Sequence, residues 1–184
     1  MLLILTFELN NEECTTMETL DAIMSRRSIR QWQPRPVEEN LRQILLKAAM
    51  NAPSAADARP WQFVVIDKAE TIQQFTQLGG TEMLAQAPLL LLICGEPEKE
   101  IYPGFWPQDC SCAAHNIQLA AHDQGLGCVW IAIHPLKERE EQCRNVLNIP
   151  EKTVPFALLA LGHPAEELPP ELRFDPERIH QNGW

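Results

Sequence analysis

Apolar residues along this chain occur either at helical spacing or in short continuous runs. Together these two patterns predict five helices and four strands. Apolar positions three and four residues apart predict the helices, over residues 15–26, 36–50, 68–78, 108–124 and 136–147. Short, nearly continuous apolar runs predict the strands, over residues 61–66, 88–94, 128–133 and 154–161. Because helices and strands alternate after the second helix, this pattern by itself predicts an α/β fold with a parallel sheet.

Turn residues mark where several of these elements begin and end. Pro36 is placed to open the second helix, and Gly125 to end the fourth. The fourth helix is rich in alanine and serine, and such small side chains allow another backbone or a flat ligand to approach closely. The proline-rich C-terminal stretch has little periodicity, so we expect it to be extended and to wrap over another surface.

Length and charge limit the classes of function. A chain of 184 residues is enough for one domain with a sizeable core. With 15 basic against 25 acidic residues and a net charge of -10, general binding to nucleic acid or anionic membranes is disfavoured. The first residues, MLLILTFEL, lack the basic start of a signal peptide. We therefore expect an N-terminal extension or arm over residues 1–16, with the domain over residues 17–184.

Six cysteines without C-x-x-C spacing predict buried, reduced thiols and a cytoplasmic location. Cys112 and His115 share a helical face, but Cys110 points about 200° away by helical geometry, so a zinc site is not supported. In the segment GLGCVW the order is helix, glycines, strand, which is the reverse of a dinucleotide-binding fingerprint. The chain has no G-x-S-x-G motif, so hydrolysis is not supported.

The segment SRRSIRQWQPR concentrates positive charge in an otherwise acidic chain. Such a run is often only a solvated helix end. Guanidinium groups, however, present a planar fork that suits phosphate, so Arg26, Arg27, Ser28 and Arg30 are candidates to grip one. A second candidate is the loop in NAPSAADARPWQFVVI, where Ser54 and Asp57 precede a strand, while Trp61 is expected to anchor the core.

Four stretches, in this order, resemble the nitroreductase family of flavin enzymes: METLDAIMSRRSIRQW, APSAADARPWQFVVI, QDCSCAAHNIQLAAHDQGLGCVWI and LALGHPAEE. The resemblance runs from Met17 to Trp184. It implies an α+β fold with a mostly antiparallel central sheet flanked by helices, and this expectation replaces the parallel sheet of the pattern. It also implies a homodimer with two FMN molecules at the subunit interface.

The resemblance further implies which residues meet the cofactor. Residues 26–30 would hold the phosphate, the ribityl chain and one ring edge, and residues 53–55 would approach the ring from the other subunit. Residues 129–130 would lie beside the isoalloxazine with residues 162–163 nearby, and Arg173 would reach the phosphate. The implied cofactor-binding residues are Arg26, Arg27, Ser28, Arg30, Pro53, Ser54, Ala55, Asp57, Val129, Trp130, Gly162, His163 and Arg173.

Three positions depart from the family pattern. Asp57 and Arg59 stand where the family usually has asparagine and glutamine, and Glu171 lies where it is commonly basic. An ionised aspartate cannot replace an amide donor, so Asp57 is expected to pair with Arg59 instead.

The implied activity is transfer of a hydride from NADH or NADPH, through FMN, to a nitroaromatic, a quinone or a similar acceptor, with no catalytic side chain required. Two alternatives remain open. One is a flavin enzyme of the same fold with another reaction, such as reductive dehalogenation. The other is a dimeric module whose FMN binding is weak or lost.

Overall fold

The computed structural model describes residues 17–184, and the predicted arm over residues 1–16 lies outside them. The predicted helices and strands are present in the predicted order. The helices are α1 (Thr19–Ser25), α2 (Glu39–Met50), α3 (Ala69–Phe75), α4 (Trp106–Asp123) and α5 (Lys137–Leu147). The strands are β1 (Trp61–Ile66), β2 (Leu89–Gly95), β3 (Gly127–Ala132) and β4 (Val154–Gly162). No helix among residues 17–184 is long and apolar enough to cross a membrane.

The strands form one sheet in the order β1-β2-β4-β3, and every neighbouring pair is antiparallel. The parallel sheet expected from the pattern alone is therefore wrong, and the α+β fold implied by the resemblance is confirmed. The reason is physical: β2 is buried along its whole length, so it is as uniformly apolar as a strand of a parallel sheet. A strand that is buried on both faces is apolar along its whole length whether its neighbours run parallel or antiparallel. The apolar run therefore does not predict the direction of the strand.

Helices cover both faces of the sheet. Leu89, Leu91 and Ile93 of β2 belong to the core beneath α2 and α4, whereas Leu90 and Leu92 belong to the core beneath α3 and α5. Each fully buried leucine contributes about 1.5–3 kcal/mol of transfer free energy. The alternation of a strand thus builds two cores from one apolar run.

The small residues of α4 do allow a close approach, and the neighbour is α2. Ala113, Ala114 and Ala121 are fully buried. Asn116 reaches across from α4, and its Nδ2 donates a hydrogen bond to the carbonyl oxygen of Ala48 in α2 at 3.0 Å. The prediction that Gly125 ends α4 is also confirmed, since its φ is +70° and the Leu126 N–H returns to the Ala121 oxygen at 2.7 Å.

Residues 26–33, which follow α1, lie along the outer edge of β3. The Ile29 N–H donates to the oxygen of Cys128 at 3.1 Å, and the Trp32 indole N–H donates to the oxygen of Gly127 at 3.1 Å. A Cβ on Gly127 would stand 2.6 Å from Cγ2 of Ile29, so only glycine permits this approach. The arginines are thereby fixed beside the start of β3.

The same segment then meets the chain that leaves β4. The Gln33 N–H donates to the oxygen of His163 at 2.8 Å, and the Ala165 N–H donates to the oxygen of Gln31 at 2.9 Å. These two bonds hold the start of the C-terminal stretch beside the segment that carries the arginines.

Candidate functional site

Arg26, Arg27 and Arg173 line one cavity of about 550 Å³. We call it the arginine cavity; apart from Glu171, its other walls are apolar side chains of α1 and of the C-terminal stretch, among them Ile23, Met24 and Phe174. Two of the arginines come from the end of α1 and the third from a position 146 residues later in the chain. The structure therefore brings together three of the four arginines that were predicted to hold the phosphate, all except Arg30.

One guanidinium nitrogen of Arg26, a residue that lines the arginine cavity, has no acceptor. Nη1 of Arg26 is buried and has no hydrogen-bond partner among residues 17–184. Leaving a buried polar atom unsatisfied costs about 1–3 kcal/mol, and more when the group is charged. A ligand acceptor that reached this nitrogen would remove the cost, and three guanidiniums in one cavity wall fit a phosphate.

A carboxylate already lies among these arginines. Nη2 of Arg173 is 2.9 Å from Oε2 of Glu171, and Nη2 of Arg27 is 3.7 Å from the same oxygen. The hydrogen bond and charge of Arg173, followed by the charge of Arg27, lower the pKa of Glu171. Glu171 is thus an ionised acceptor that uses part of the positive charge a ligand would otherwise meet.

A second cavity, of about 460 Å³, adjoins the first, and the two share Arg27 and Pro170. Ser25, His122 and the glycines at the start of β3 contribute to its walls. Oγ of Ser25 lies 2.7 Å from Nε2 of His122, and burial, with the nearby charge of Arg26, lowers the pKa of His122. The imidazole is therefore neutral at pH 7. Sequence reasoning missed this pair, because its members lie 97 residues apart and no local pattern links them.

Arg30 and Ser28 do not line either cavity. The guanidinium of Arg30 is exposed and its Nη1 turns back to the Ser28 oxygen at 3.3 Å. Its backbone N–H instead donates to Oε1 of Glu166 at 2.6 Å, and the Gln31 N–H donates to the same oxygen at 3.1 Å. Only two of the four clustered candidates, Arg26 and Arg27, therefore face the arginine cavity.

Residues 53–59, called the 53–59 loop below, lie at the other end of α4. The Ala55 N–H donates to Oδ1 of Asp109 in the first turn of α4 at 2.9 Å, whereas His122 in the last turn meets Ser25. Thirteen residues separate Asp109 from His122, which is about 20 Å along a helix. A single chain therefore does not bring Pro53, Ser54 and Ala55 to the arginine cavity.

The predicted pairing of Asp57 with Arg59 is confirmed. Nε and Nη2 of Arg59 donate to Oδ1 and Oδ2 of Asp57 at 2.6 and 2.7 Å. The two charged residues thus satisfy each other in a bidentate ion pair. Because both side chains are largely exposed, the pair contributes little to stability.

The other implied cofactor residues are tied into the fold. Val129 is buried on the α3 and α5 side of β3, while Trp130 packs on the opposite face against Phe156, with ring centroids 5.8 Å apart. Gly162 is buried, and a Cβ there would stand 2.6 Å from Pro88. Nε2 of His163 is 3.1 Å from Oε2 of Glu38. None of these four implied cofactor residues lines either of the two cavities.

The thiols of Cys94, Cys110, Cys128 and Cys143 are buried, as predicted, and unpaired. Burial raises the pKa of each, for Cys128 to about 12. Such thiols are inert as nucleophiles at neutral pH. Within residues 17–184, no three histidine, cysteine or acidic side chains are grouped as a metal site requires.

Known proteins match this chain in sequence and in fold over most of its length. The model of the Nitroreductase family matches residues 23–79 and 68–163. A Methanothermobacter thermautotrophicus protein, provisionally named NADH dehydrogenase/NAD(P)H nitroreductase, is 44% identical over 169 residues, which are 91% of this chain and 88% of that protein. A similarly named crystal structure from Parabacteroides distasonis has a TM-score of 0.87 at 34% identity and covers 90% of this chain and 98% of that one.

A third similar structure is described as an FMN-dependent nitroreductase from Clostridium difficile. It has a TM-score of 0.84 at 31% identity, with 90% of this chain and 99% of that chain covered. The family match spans Arg26, Arg27, the 53–59 loop and the whole sheet. This chain belongs to the nitroreductase family.

Proposed function

We propose that this protein binds FMN and is an NAD(P)H-dependent flavin oxidoreductase whose acceptor is a nitroaromatic, a quinone or a similar flat molecule. The observation that carries the proposal is the arginine cavity, where Arg26, Arg27 and Arg173 converge and Nη1 of Arg26 lacks an acceptor. The similar structure described as an FMN-dependent nitroreductase and the relative named NAD(P)H nitroreductase support the choice of cofactor and donor.

Charge supports binding of a phosphate-bearing ligand, such as FMN, at this place. A phosphate monoester carries nearly two negative charges at neutral pH. A chain of net charge -10 would repel such a group unless positive charge were concentrated locally. The three guanidiniums of the arginine cavity, offset in part by Glu171, leave a local excess of positive charge for the phosphate.

When bound, FMN supplies the hydride-transfer chemistry, and the chain's own residues bind and orient it. In this proposal Arg26 and Arg27 hold the phosphate, with Arg173 closing over it from the C-terminal stretch. Ser28 and Arg30 lie beside them along the edge of β3. The backbone of Val129 and Trp130, with Gly162 and His163, would lie beside the ring in this proposal.

The remaining candidates require a second copy of the chain. Since Pro53, Ser54, Ala55 and Asp57 lie about 20 Å from the arginine cavity by the length of α4, a homodimer is needed to bring them to the same cofactor. We therefore propose that the protein is a homodimer with two sites, each formed by residues of both subunits. The small molecules that reach these sites would be the donor and the acceptor.

Absorbance spectroscopy tests the proposal directly. We expect purified protein, reconstituted with FMN and freed of excess, to show the flavin bands between 350 and 500 nm at about one flavin per chain. Adding NADH or NADPH without oxygen should bleach these bands, and adding a quinone should restore them. A protein that retains no flavin, or whose bound flavin is not bleached by either donor, would contradict the proposed activity.

Removal of one guanidinium tests the phosphate assignment. We predict that Arg26→Ala weakens FMN binding about ten- to a hundredfold, because one charge-assisted hydrogen bond is lost. Fluorescence titration of the apoprotein with FMN measures this. Arg178→Ala is the matched control, since Arg178 lies in the C-terminal stretch and pairs with Asp175 away from the cavity. Equal affinity of wild type and Arg26→Ala would refute the assignment.

A second candidate is a dimeric module with weak FMN binding. It is favoured by Glu171, whose carboxylate lies in the arginine cavity, and by the closed Asp57–Arg59 pair, which leaves no free amide donor at that position. Titration with FMN also distinguishes this candidate. A protein that shows no saturable binding up to high micromolar FMN, and keeps no flavin once the excess is removed, would support it over the oxidoreductase.

A further inference from the structure

Asp109 is a buried carboxylate without a role in the site described so far. It lies in the first turn of α4 and is only 5% exposed. One of its oxygens, Oδ1, accepts the hydrogen bond from the Ala55 N–H at 2.9 Å. The other, Oδ2, is buried and has no hydrogen-bond partner in the described part of the chain. A half-satisfied buried polar side chain is costly, so we expect its one hydrogen bond to have a role.

The 53–59 loop is held in a conformation that its residues adopt rarely. Ala56, Asp57 and Arg59 all have left-handed φ values, of 50°, 58° and 47°. Non-glycine residues persist in this region only where the surrounding structure constrains them. The constraint has to come from contacts of the loop.

Most hydrogen bonds of this loop are internal. The Asp57 N–H donates to the Ser54 oxygen, the Ala58 N–H donates to the Ala55 oxygen, and the Arg59 N–H donates to Oγ of Ser54. Among the hydrogen bonds that the structure gives for residues 53–59, the bond to Asp109 is the one that ties the loop to another element. Internal bonds preserve a loop's shape, but only an external bond fixes its position.

The element that carries Asp109 is well suited to fix a position. Helix α4 has 18 residues, and the face that bears Asp109 and Ala113 is buried. A carboxylate in the first turn of a helix is also favoured by the helix dipole.

We propose that Asp109 is a positioning residue, which holds the 53–59 loop where that loop meets the FMN bound by a second copy of the chain. It acts through the Ala55 N–H and does not itself touch the cofactor. The proposal rests on the proposed function for its FMN half. Its structural half, which says that Asp109 fixes the loop, depends only on contacts within one chain and does not require FMN.

Hydrogen exchange of the apoprotein tests the structural half. We expect Asp109→Ala to speed exchange of the Ala55 amide at least about tenfold, because its acceptor is gone. Asp109→Asn should stay within about twofold of wild type, since the amide oxygen still accepts this bond. Gln118→Ala is the matched control, because Gln118 is a buried polar residue on the same helix, 7% exposed. It should leave exchange of residues 53–59 unchanged.

Titration with FMN tests the other half on the same four proteins. We expect the dissociation constant to rise about tenfold for Asp109→Ala and to change less than about twofold for Asp109→Asn and Gln118→Ala. Unchanged exchange and affinity in Asp109→Ala would overturn the proposal, and so would an equal loss of affinity in Gln118→Ala. If wild type fails to bind FMN, the FMN half falls with the proposed function, while the exchange data still decide whether Asp109 fixes the loop.

Discussion

At the scale of single residues, the arginine cavity is defined by a balance of charge. Three guanidiniums line it, and Glu171 takes up part of the charge of Arg27 and Arg173. A phosphate entering the cavity would lie near this carboxylate and be repelled by it. Glu171 therefore opposes the ligand that the arginines attract.

We predict that Glu171→Gln strengthens FMN binding about tenfold, since one like-charge repulsion at close range is removed. Fluorescence titration of the apoprotein at low salt measures the change, and high salt should reduce the difference between variant and wild type. Glu177→Gln removes the same charge from the same C-terminal stretch outside the cavity, so its affinity should equal that of wild type. Weaker binding by Glu171→Gln would show that the carboxylate supports the site.

At the scale of elements, the sequence was sufficient to predict which helices and strands form, but it did not predict the direction of the strands in the sheet. The helices and strands follow from apolar spacing, and the end of α4 follows from Gly125. Strand direction did not follow, because β2 is buried on both faces. The start of α2 was placed too early, since Pro36 was expected to open a helix that begins at Glu39. The start of α4 was placed two residues late, since Pro107 was interpreted as part of a loop although proline fits a first helical turn.

The contact between residues 26–33 and β3 depends on Gly127, which has no side chain to block it. A Cβ at position 127 would lie 2.6 Å from Cγ2 and 2.8 Å from Cβ of Ile29. We predict that Gly127→Ala lowers the free energy of unfolding by about 1–3 kcal/mol, because the arginine segment must move off the strand edge. Urea unfolding measures it. Gly183→Ala is the control, since nothing lies within 4 Å of a Cβ there. Equal stability of both variants would mean that the edge adapts without cost.

Glu38 links the start of α2 to the chain leaving β4, where its Oε2 meets Nε2 of His163 at 3.1 Å. A hydrogen bond from its own backbone N–H, and then one from Arg35, lower its pKa from 4.5 to about 2. A depressed carboxylate stabilises the fold above its unfolded pKa and loses that contribution as pH falls toward its folded pKa. The link is thus sensitive to acid.

We predict that wild type loses more stability than Glu38→Gln between pH 4.5 and about 2, because only wild type must protonate this carboxylate. Urea midpoints at pH 6, 4 and 2.5 measure the two profiles. Above pH 5 the difference between the two proteins should be constant. Parallel profiles down to pH 2.5 would show that Glu38 keeps the same pKa when the chain unfolds.

At the scale of the whole molecule, the sequence alone pointed to residues that one chain keeps apart. The arginines and the 53–59 loop were assigned to one cofactor through the family resemblance, yet α4 separates them by about 20 Å. Only Arg26, Arg27 and Arg173 are brought to a common cavity, and Asp109 and the Ser25–His122 pair became visible only once the fold placed them. Spatial neighbours that lie far apart in the chain leave no local pattern to find.

A shared site makes a prediction about mixed dimers that a site within one chain does not. Arg26→Ala disables the arginine side of every site, and Ala55→Trp blocks the loop side with a bulky ring, so each variant alone should bind FMN weakly. A heterodimer of the two has one site with an intact arginine side from one chain and an intact loop from the other. We therefore predict that co-expressed, doubly tagged heterodimers of this 20.9 kDa chain bind one FMN per dimer with wild-type affinity. If each site lay within a single chain, both sites of the heterodimer would be defective, and the mixed protein would bind no better than its parents.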